Sequence, residues 1–167
     1  MDARRFLRHL VAGLRGGHPL FDAQTLARLQ QAIAAGEAGH RAELRLIVET
    51  ALPLRKVRRG VQTRQRALDL FGTFRVWDTE DNNGVLLYIN AADRKLEVVA
   101  DRAAARRVDD AVWKRICDDA AASFRRGAFE EGASGALAAI HGVLATAFPA
   151  DGTTARRNEL PDAPVVL

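Results

Sequence analysis

Gly84-Val85-Leu86-Leu87-Tyr88-Ile89-Asn90 is the stretch on which the fold turns. Val85 to Ile89 are all apolar or aromatic, with none of the alternation of a strand that has one wet face. A strand buried on both faces reads this way, and it belongs in the middle of a sheet covered by helices. Polar turns bound it. Asp78-Thr79-Glu80-Asp81-Asn82-Asn83 leads in, and Ala91-Ala92-Asp93-Arg94 leads out, with Asp93 suited to a tight connection. Leu96-Glu97-Val98-Val99 then returns, so 84–99 is expected to be a β-hairpin.

Upstream, Leu44, Leu46 and Val48 alternate over 43–50 and predict the first strand, with Pro53 limiting its far end. Phe6, Leu7, Leu10, Val11 and Leu14 predict a helix over 2–15, stopped at Gly16-Gly17-His18-Pro19. Leu26, Leu29 and Ile33 predict a second over 22–35, with Asp22 as N-cap and Gly36 as stop. Further helices are expected over 61–76, 109–125 and 127–147. The order α-α-β-α-β-β-α-α predicts an α/β fold, a three-layer α/β/α sandwich around a small mixed sheet. Residues 1–19 form an N-terminal helix unit, 20–148 the α/β domain, and 149–167, rich in Asp, Gly, Thr, Arg and Pro, a tail expected to be disordered.

A chain of 167 residues fits one domain with a sizeable core. Its one cysteine, Cys117, allows no intrachain disulfide and no cysteine-based zinc site. A reducing compartment is the natural reading, though a cysteine-poor exported protein would look similar. No apolar leader segment precedes residue 15, and no run approaches the ~20 apolar residues of a membrane span. The chain is therefore expected to be cytoplasmic, at most peripheral to a membrane. The formal charge is +4 with pI ≈ 10.0, and most of the positive charge is arginine. A GC-rich genome accounts for that, and so does an anionic partner.

Asp78, Glu80 and Asp81, beside Asn82 and Asn83, supply the carboxylate and amide oxygens that a hard cation such as Ca²⁺ or Mg²⁺ takes. Asp101, after the second hairpin strand, is a further candidate ligand. The same residues make an ordinary polar turn, and their spacing is not that of an EF-hand. Asp109 and Asp110 are placed to cap the helix that follows. Arg55, Arg58 and Arg59, within the basic stretch 55–66, could hold phosphate groups of lipid or nucleic acid. No aromatic residues interleave to stack bases, which speaks against nucleic acid; a solvated basic face explains the run equally well. His9, His18, His40 and His141 are scattered, Cys117 sits mid-helix like a core side chain, and no nucleophile elbow, P-loop or dinucleotide fingerprint is present.

The ordered set of segments resembles one known family, the TPM domains. Arg75 to Ile89 is similar to that family's polar turn and central strand, and Asp93-Arg94-Lys95-Leu96-Glu97-Val98-Val99 to the strand after it. Phe124-Arg125-Arg126-Gly127-Ala128-Phe129-Glu130-Glu131-Gly132 resembles its late helix-turn-helix, and Ala42-Glu43-Leu44 its first strand. The resemblance spans about residues 20–148. It implies a compact α/β sandwich, with links to divalent-cation binding, weak acid-phosphatase activity and the repair or assembly of membrane complexes. Family members usually have a Gly-containing loop after the second hairpin strand. Here Ala100-Asp101-Arg102-Ala103-Ala104-Ala105-Arg106-Arg107 has no glycine, which implies a lost or reshaped ligand site. Three functions follow as expectations: a non-catalytic accessory domain with a membrane-associated protein partner, a divalent-cation-dependent weak phosphatase, or a binder of anionic surfaces.

Overall fold

In the computed structural model, which describes residues 2–14, 21–150 and 158–167, strand β2 (Gly84–Asn90) has all seven residues buried. It pairs in parallel with β1 (Glu43–Glu49) and antiparallel with β3 (Lys95–Ala100). A short β4 (Val165–Val166) pairs in parallel with β1, giving the order β3-β2-β1-β4. The helices are α1 (Ala3–Leu14), α2 (Ala23–Glu37), α3 (Leu54–Arg58), α4 (Thr63–Thr73), α5 (Arg102–Arg107), α6 (Asp110–Arg125) and α7 (Phe129–Ala147).

The unbroken apolar run of β2 has a direct cause. Val85, Leu87 and Ile89 face a core shared with α2, α6 and α7, where Ile33, Phe124, Leu137 and Ile140 are buried. Leu86 and Tyr88 face the other side, against Ala67 and Leu70 of α4. Both faces are covered, as the sandwich requires. Each such side chain contributes on the order of 1.5–3 kcal/mol through burial.

Four expectations are revised. First, the tail is not disordered throughout. Residues 158–167 return to the sheet: Leu160 is buried, Leu167 N–H donates to Val48 O (2.9 Å), and Glu43 accepts from the backbone N–H groups of Glu159 and Leu160 (3.1 Å each). Polar composition hid a segment whose Leu160 and Val165 complete the α4-side core. Residues 151–157 and the expected stop at Gly16-Gly17-His18-Pro19 lie outside the described residues. Second, the single helix expected over 61–76 is α4, preceded by the separate short helix α3. Gly60, at φ +75°, divides them. Third, Gly36 does not stop α2. It lies inside the helix, one residue before its end, at a position where a Cβ would meet the His141 ring at 2.3 Å. Fourth, the glycine-free stretch after β3 is α5, as suits an alanine-rich run.

Gly84 is another glycine set by space. It has no positive φ, yet a Cβ built on it would lie 1.9 Å from the Val76 carbonyl oxygen. That oxygen is backbone and cannot rotate away. Gly84→Ala is expected to destabilise the fold by about 3 kcal/mol, at the upper end of the overpacking range. Chemical denaturation measures this, and a loss below about 1 kcal/mol would show that Val76 yields easily.

Candidate functional site

The topology gives the sheet two chemically different ends. At one end lie the starts of β1 and β2 and the finish of β3. At the other lie the finishes of β1 and β2, the carboxyl ends where open α/β sheets commonly bind ligands. The acidic turn is at the first end.

Asp101 belongs to that first end because β3 runs antiparallel to β2. Its N–H donates to Gly84 O (2.8 Å), and Ala103 N–H donates to Asn82 O (3.0 Å). The structure therefore brings Asp101 to the turn's Asn82–Gly84 side. Asp101 is only 6% exposed and its Oδ2 has no hydrogen-bond partner. Asn83, 2% exposed, donates its Nδ2 to Arg41 O (2.7 Å) and leaves its Oδ1 without a partner. Two buried acceptor oxygens without donors at one end of a hairpin are unusual, since almost all such groups are satisfied. Asn82 adopts φ +52°, a conformation asparagine tolerates.

The other turn carboxylates point elsewhere. Asp78 pairs with Arg75 (2.5 Å) and Asp81 with Arg41 (3.3 Å), both partly exposed. The exposed Glu80 has its N–H bonded to the Glu159 carboxylate (3.2 Å). Among the described residues, no three His, Cys, Asp or Glu side chains are grouped closely enough to hold a metal. A cation here would need Asn83 and backbone carbonyls beside Asp101, the mixed oxygen set that Ca²⁺ and Mg²⁺ accept. The oxygens such an ion could take up here are Asp101 Oδ2 and Asn83 Oδ1.

At the second end, α1 reaches the turn that follows β2. Asp93 accepts from Arg5 Nη2 (2.7 Å) and Nε (3.0 Å), from His9 Nε2 (3.1 Å) and from Thr63 Oγ1 (3.3 Å). Leu52 N–H donates to His9 Nδ1 (3.0 Å), which assigns the proton of this buried ring to Nε2. Burial pushes the Asp93 carboxyl up, but hydrogen bonds from His9 and Arg5 outweigh it and hold the group well below the usual carboxylate range. Beside it, the Tyr88 hydroxyl donates to Glu49 (2.6 Å), which also takes a two-pronged contact from Arg66 (2.7 and 3.0 Å). No sequence pattern marked Arg5, His9 or Glu49, and Asp93 read only as a turn residue. The signal available was weak: a histidine and an arginine on the flank of an otherwise apolar helical pattern.

The remaining candidates settle as follows. Arg55 and Arg58 lie exposed on α3, with Arg59 exposed just after it, at the α1 end. Asp109 caps α6 by accepting from Ala111 N–H (2.7 Å). His40 and His141 meet in the core: His40 donates Nδ1–H to Ala42 O (3.1 Å), so its Nε2 accepts from His141 Nδ1 (2.8 Å). Cys117 lies on a cleft of about 870 Å³ between the open edge of β3 and α6. Burial pushes its thiol up to about 11, which keeps it protonated and unreactive. The charges lining that cleft largely answer one another, as in Lys114–Asp118 (2.5 Å) and Arg8–Asp93 (3.5 Å).

Comparison with known proteins gives a consistent fold. The TPM domain family matches residues 18–143. The NMR structure of the BA42 protein from the psychrophilic bacterium Bizionia argentinensis superposes with a TM-score of 0.74 at 22% identity, over 87% of this chain and 94% of that one. No curated protein sequence matches. Among the described residues, no helix is long and apolar enough to cross a membrane.

Proposed function

The chain belongs to the TPM-domain family, and from that premise we propose that it is a cation-binding accessory domain whose ion sits at the Asn83–Asp101 end of the sheet. The observation that carries the reading is the pair of buried oxygens, Asp101 Oδ2 and Asn83 Oδ1, that lack donors. A carboxylate taken out of water without a counter-charge is costly, and a bound Ca²⁺ or Mg²⁺ removes that cost. Arg102 is a poor substitute, since its Nε stands 3.8 Å from Asp101 Oδ1 and its side chain is largely exposed. Asp81 is the most accessible further ligand, freed by release of Arg41. Asp78 and Glu80 would add field rather than direct bonds. In this reading the ion braces the turn, and the braced end presents a surface to a protein partner.

One observation favours turnover of a phosphate ester instead. Arg41 and Arg102 border the same turn, and an arginine beside a cation is a common arrangement for holding phosphate. A divalent ion there would polarise a phosphoryl oxygen. Nothing places a nucleophile and base together at this end among the described residues, so the accessory reading is preferred.

Calorimetric titration with Ca²⁺, Mg²⁺ and Mn²⁺ tests both. Saturable binding is expected in the wild type, with about tenfold or greater weakening in Asp101→Asn, which removes the only buried charge of the set. Asp78→Ala should change little. Binding that survives Asp101→Asn, or no binding at all, would overturn the site. Metal-dependent phosphate release lost in Arg41→Gln would favour the enzyme.

A further inference from the structure

Helix α1 buries only part of its apolar surface on the domain. Its most deeply buried side chain is polar, His9, and Arg5 reaches down to Asp93, while Phe6 and Leu10 are half-buried beside them. Its outward side is apolar: Leu7 is 58% exposed, Leu14 78% exposed, and Val11 lies between them. The spacing 7, 11, 14 makes one continuous stripe. Arg4 and Arg8, both exposed, flank it on one side. Helix α3 packs against α1 and adds the exposed Arg55, Arg58 and Arg59. Apart from Asp2, neither helix nor its flanks carry an acid. No acid pairs with Arg4, Arg55, Arg58 or Arg59 among the described residues. At the opposite end, by contrast, Arg41 and Arg75 each face an aspartate. Positive charge and exposed apolar surface thus coincide at one end of the domain.

We propose that this end docks on an anionic lipid surface, with α1 lying in the interface and the α3 arginines on the headgroups. Lipid matches both halves of the patch: Leu7, Val11 and Leu14 enter the acyl boundary while the arginines remain at headgroup level. A nucleic acid would satisfy the arginines but leave the stripe in water, and the stripe carries no aromatic residue to stack on bases. A second copy joined through this face would bring two sets of unpaired arginines together. The fixed acidic turn would then face away from the membrane, some distance from the bilayer charge.

Co-sedimentation of the full chain with phosphatidylcholine–phosphatidylglycerol vesicles, against pure phosphatidylcholine vesicles, is the test. Binding to the mixed vesicles is expected, falling steeply with salt. Leu7→Glu with Leu14→Glu should reduce partitioning about tenfold or more at unchanged thermal stability, because both side chains are already in water. Arg55→Gln, Arg58→Gln and Arg59→Gln together should reduce it by up to roughly a hundredfold. Equal binding to both vesicle types, binding to duplex DNA but not vesicles, or a dimer dissolved by the Leu7/Leu14 variant without vesicle binding would each overturn the proposal. So would a large loss of thermal stability in that variant, which would mean the chain itself covers the stripe.

Discussion

Asp93→Ala is expected to lower the folding free energy by about 3–5 kcal/mol, the range for removing one partner of a buried ion pair. The Asp93 side chain is 4% exposed and is the anchor for three elements at once: Arg5 and His9 of α1, Thr63 of α4, and its own hairpin turn, where Asp93 N–H donates to Asn90 Oδ1 (2.9 Å). Its loss leaves the Arg5 guanidinium, only 12% exposed, without a counter-charge, and His9 Nε2–H without an acceptor. Beyond these contacts α1 is held by half-buried Phe6 and Leu10, by α3 and by Leu52 N–H on His9, while Leu7, Val11 and Leu14 face out. Local detachment of α1 should accompany the global loss, read as protease cleavage near residue 14 before the core opens. The pH dependence follows from the depressed carboxyl. The folded protein takes up this proton less readily than the unfolded chain, whose Asp titrates near 3.9. The stabilisation is therefore complete above about pH 5 and drains away as pH falls below the unfolded value. Wild-type stability should drop over that acid range and Asp93→Asn should drop less. Urea titrations at two pH values decide it; a change under about 1 kcal/mol for Asp93→Ala would mean that water already shares these contacts.

The same residues show how far the sequence could be read. The sandwich was legible because its signals are local: an apolar run at β2, alternation at β1, and helical periodicity on either side. Asp22 and Asp109 were legible as caps for the same reason, since a cap needs only its own first turn. Gly84 was legible as turn punctuation but not in its real role, since the clash that demands glycine comes from Val76, eight positions away in a different turn of chain. The convergence of Asp101 with Asn83 depended on strand pairing. An antiparallel β3 returns residue 101 to the start of β2, whereas the spacing of 101 from 83 is silent on the matter. The His40–His141 and Arg5–Asp93 pairs join residues 101 and 88 positions apart, beyond any periodicity. β4 has two residues and no pattern of its own; its place comes from the unpaired edge of β1. The acidic turn stood out by composition, and composition could not say that two of its three carboxylates turn toward arginines.

Glu49→Ala is expected to be as damaging as loss of Asp93, at about 3–5 kcal/mol, and for a different reason. Glu49 ends β1 with its carboxylate 3% exposed, gripped by both Arg66 prongs and by the Tyr88 hydroxyl. Burial first, and the Glu49 charge second, push that hydroxyl far above its ordinary range, so it stays protonated and donating. Asn90 in turn donates to the Tyr88 oxygen (3.0 Å) and accepts from Asp93 N–H. The chain Arg66–Glu49–Tyr88–Asn90–Asp93 therefore crosses from α4 through β1 and β2 to the hairpin turn. Deleting Glu49 strands a cation and a buried hydroxyl together, while Tyr88→Phe strands only one Asn90 donor and leaves Glu49 with Arg66. Tyr88→Phe should accordingly cost about 1–3 kcal/mol, the price of one buried unsatisfied group. If the residues act as one network, the double variant Glu49→Ala with Tyr88→Phe should be less destabilised than the sum of the singles by about 0.5–3 kcal/mol. Additivity within about 0.3 kcal/mol would show that Glu49 and Tyr88 stabilise the sheet independently, and that the hydrogen-bonded chain is only a sequence of neighbours.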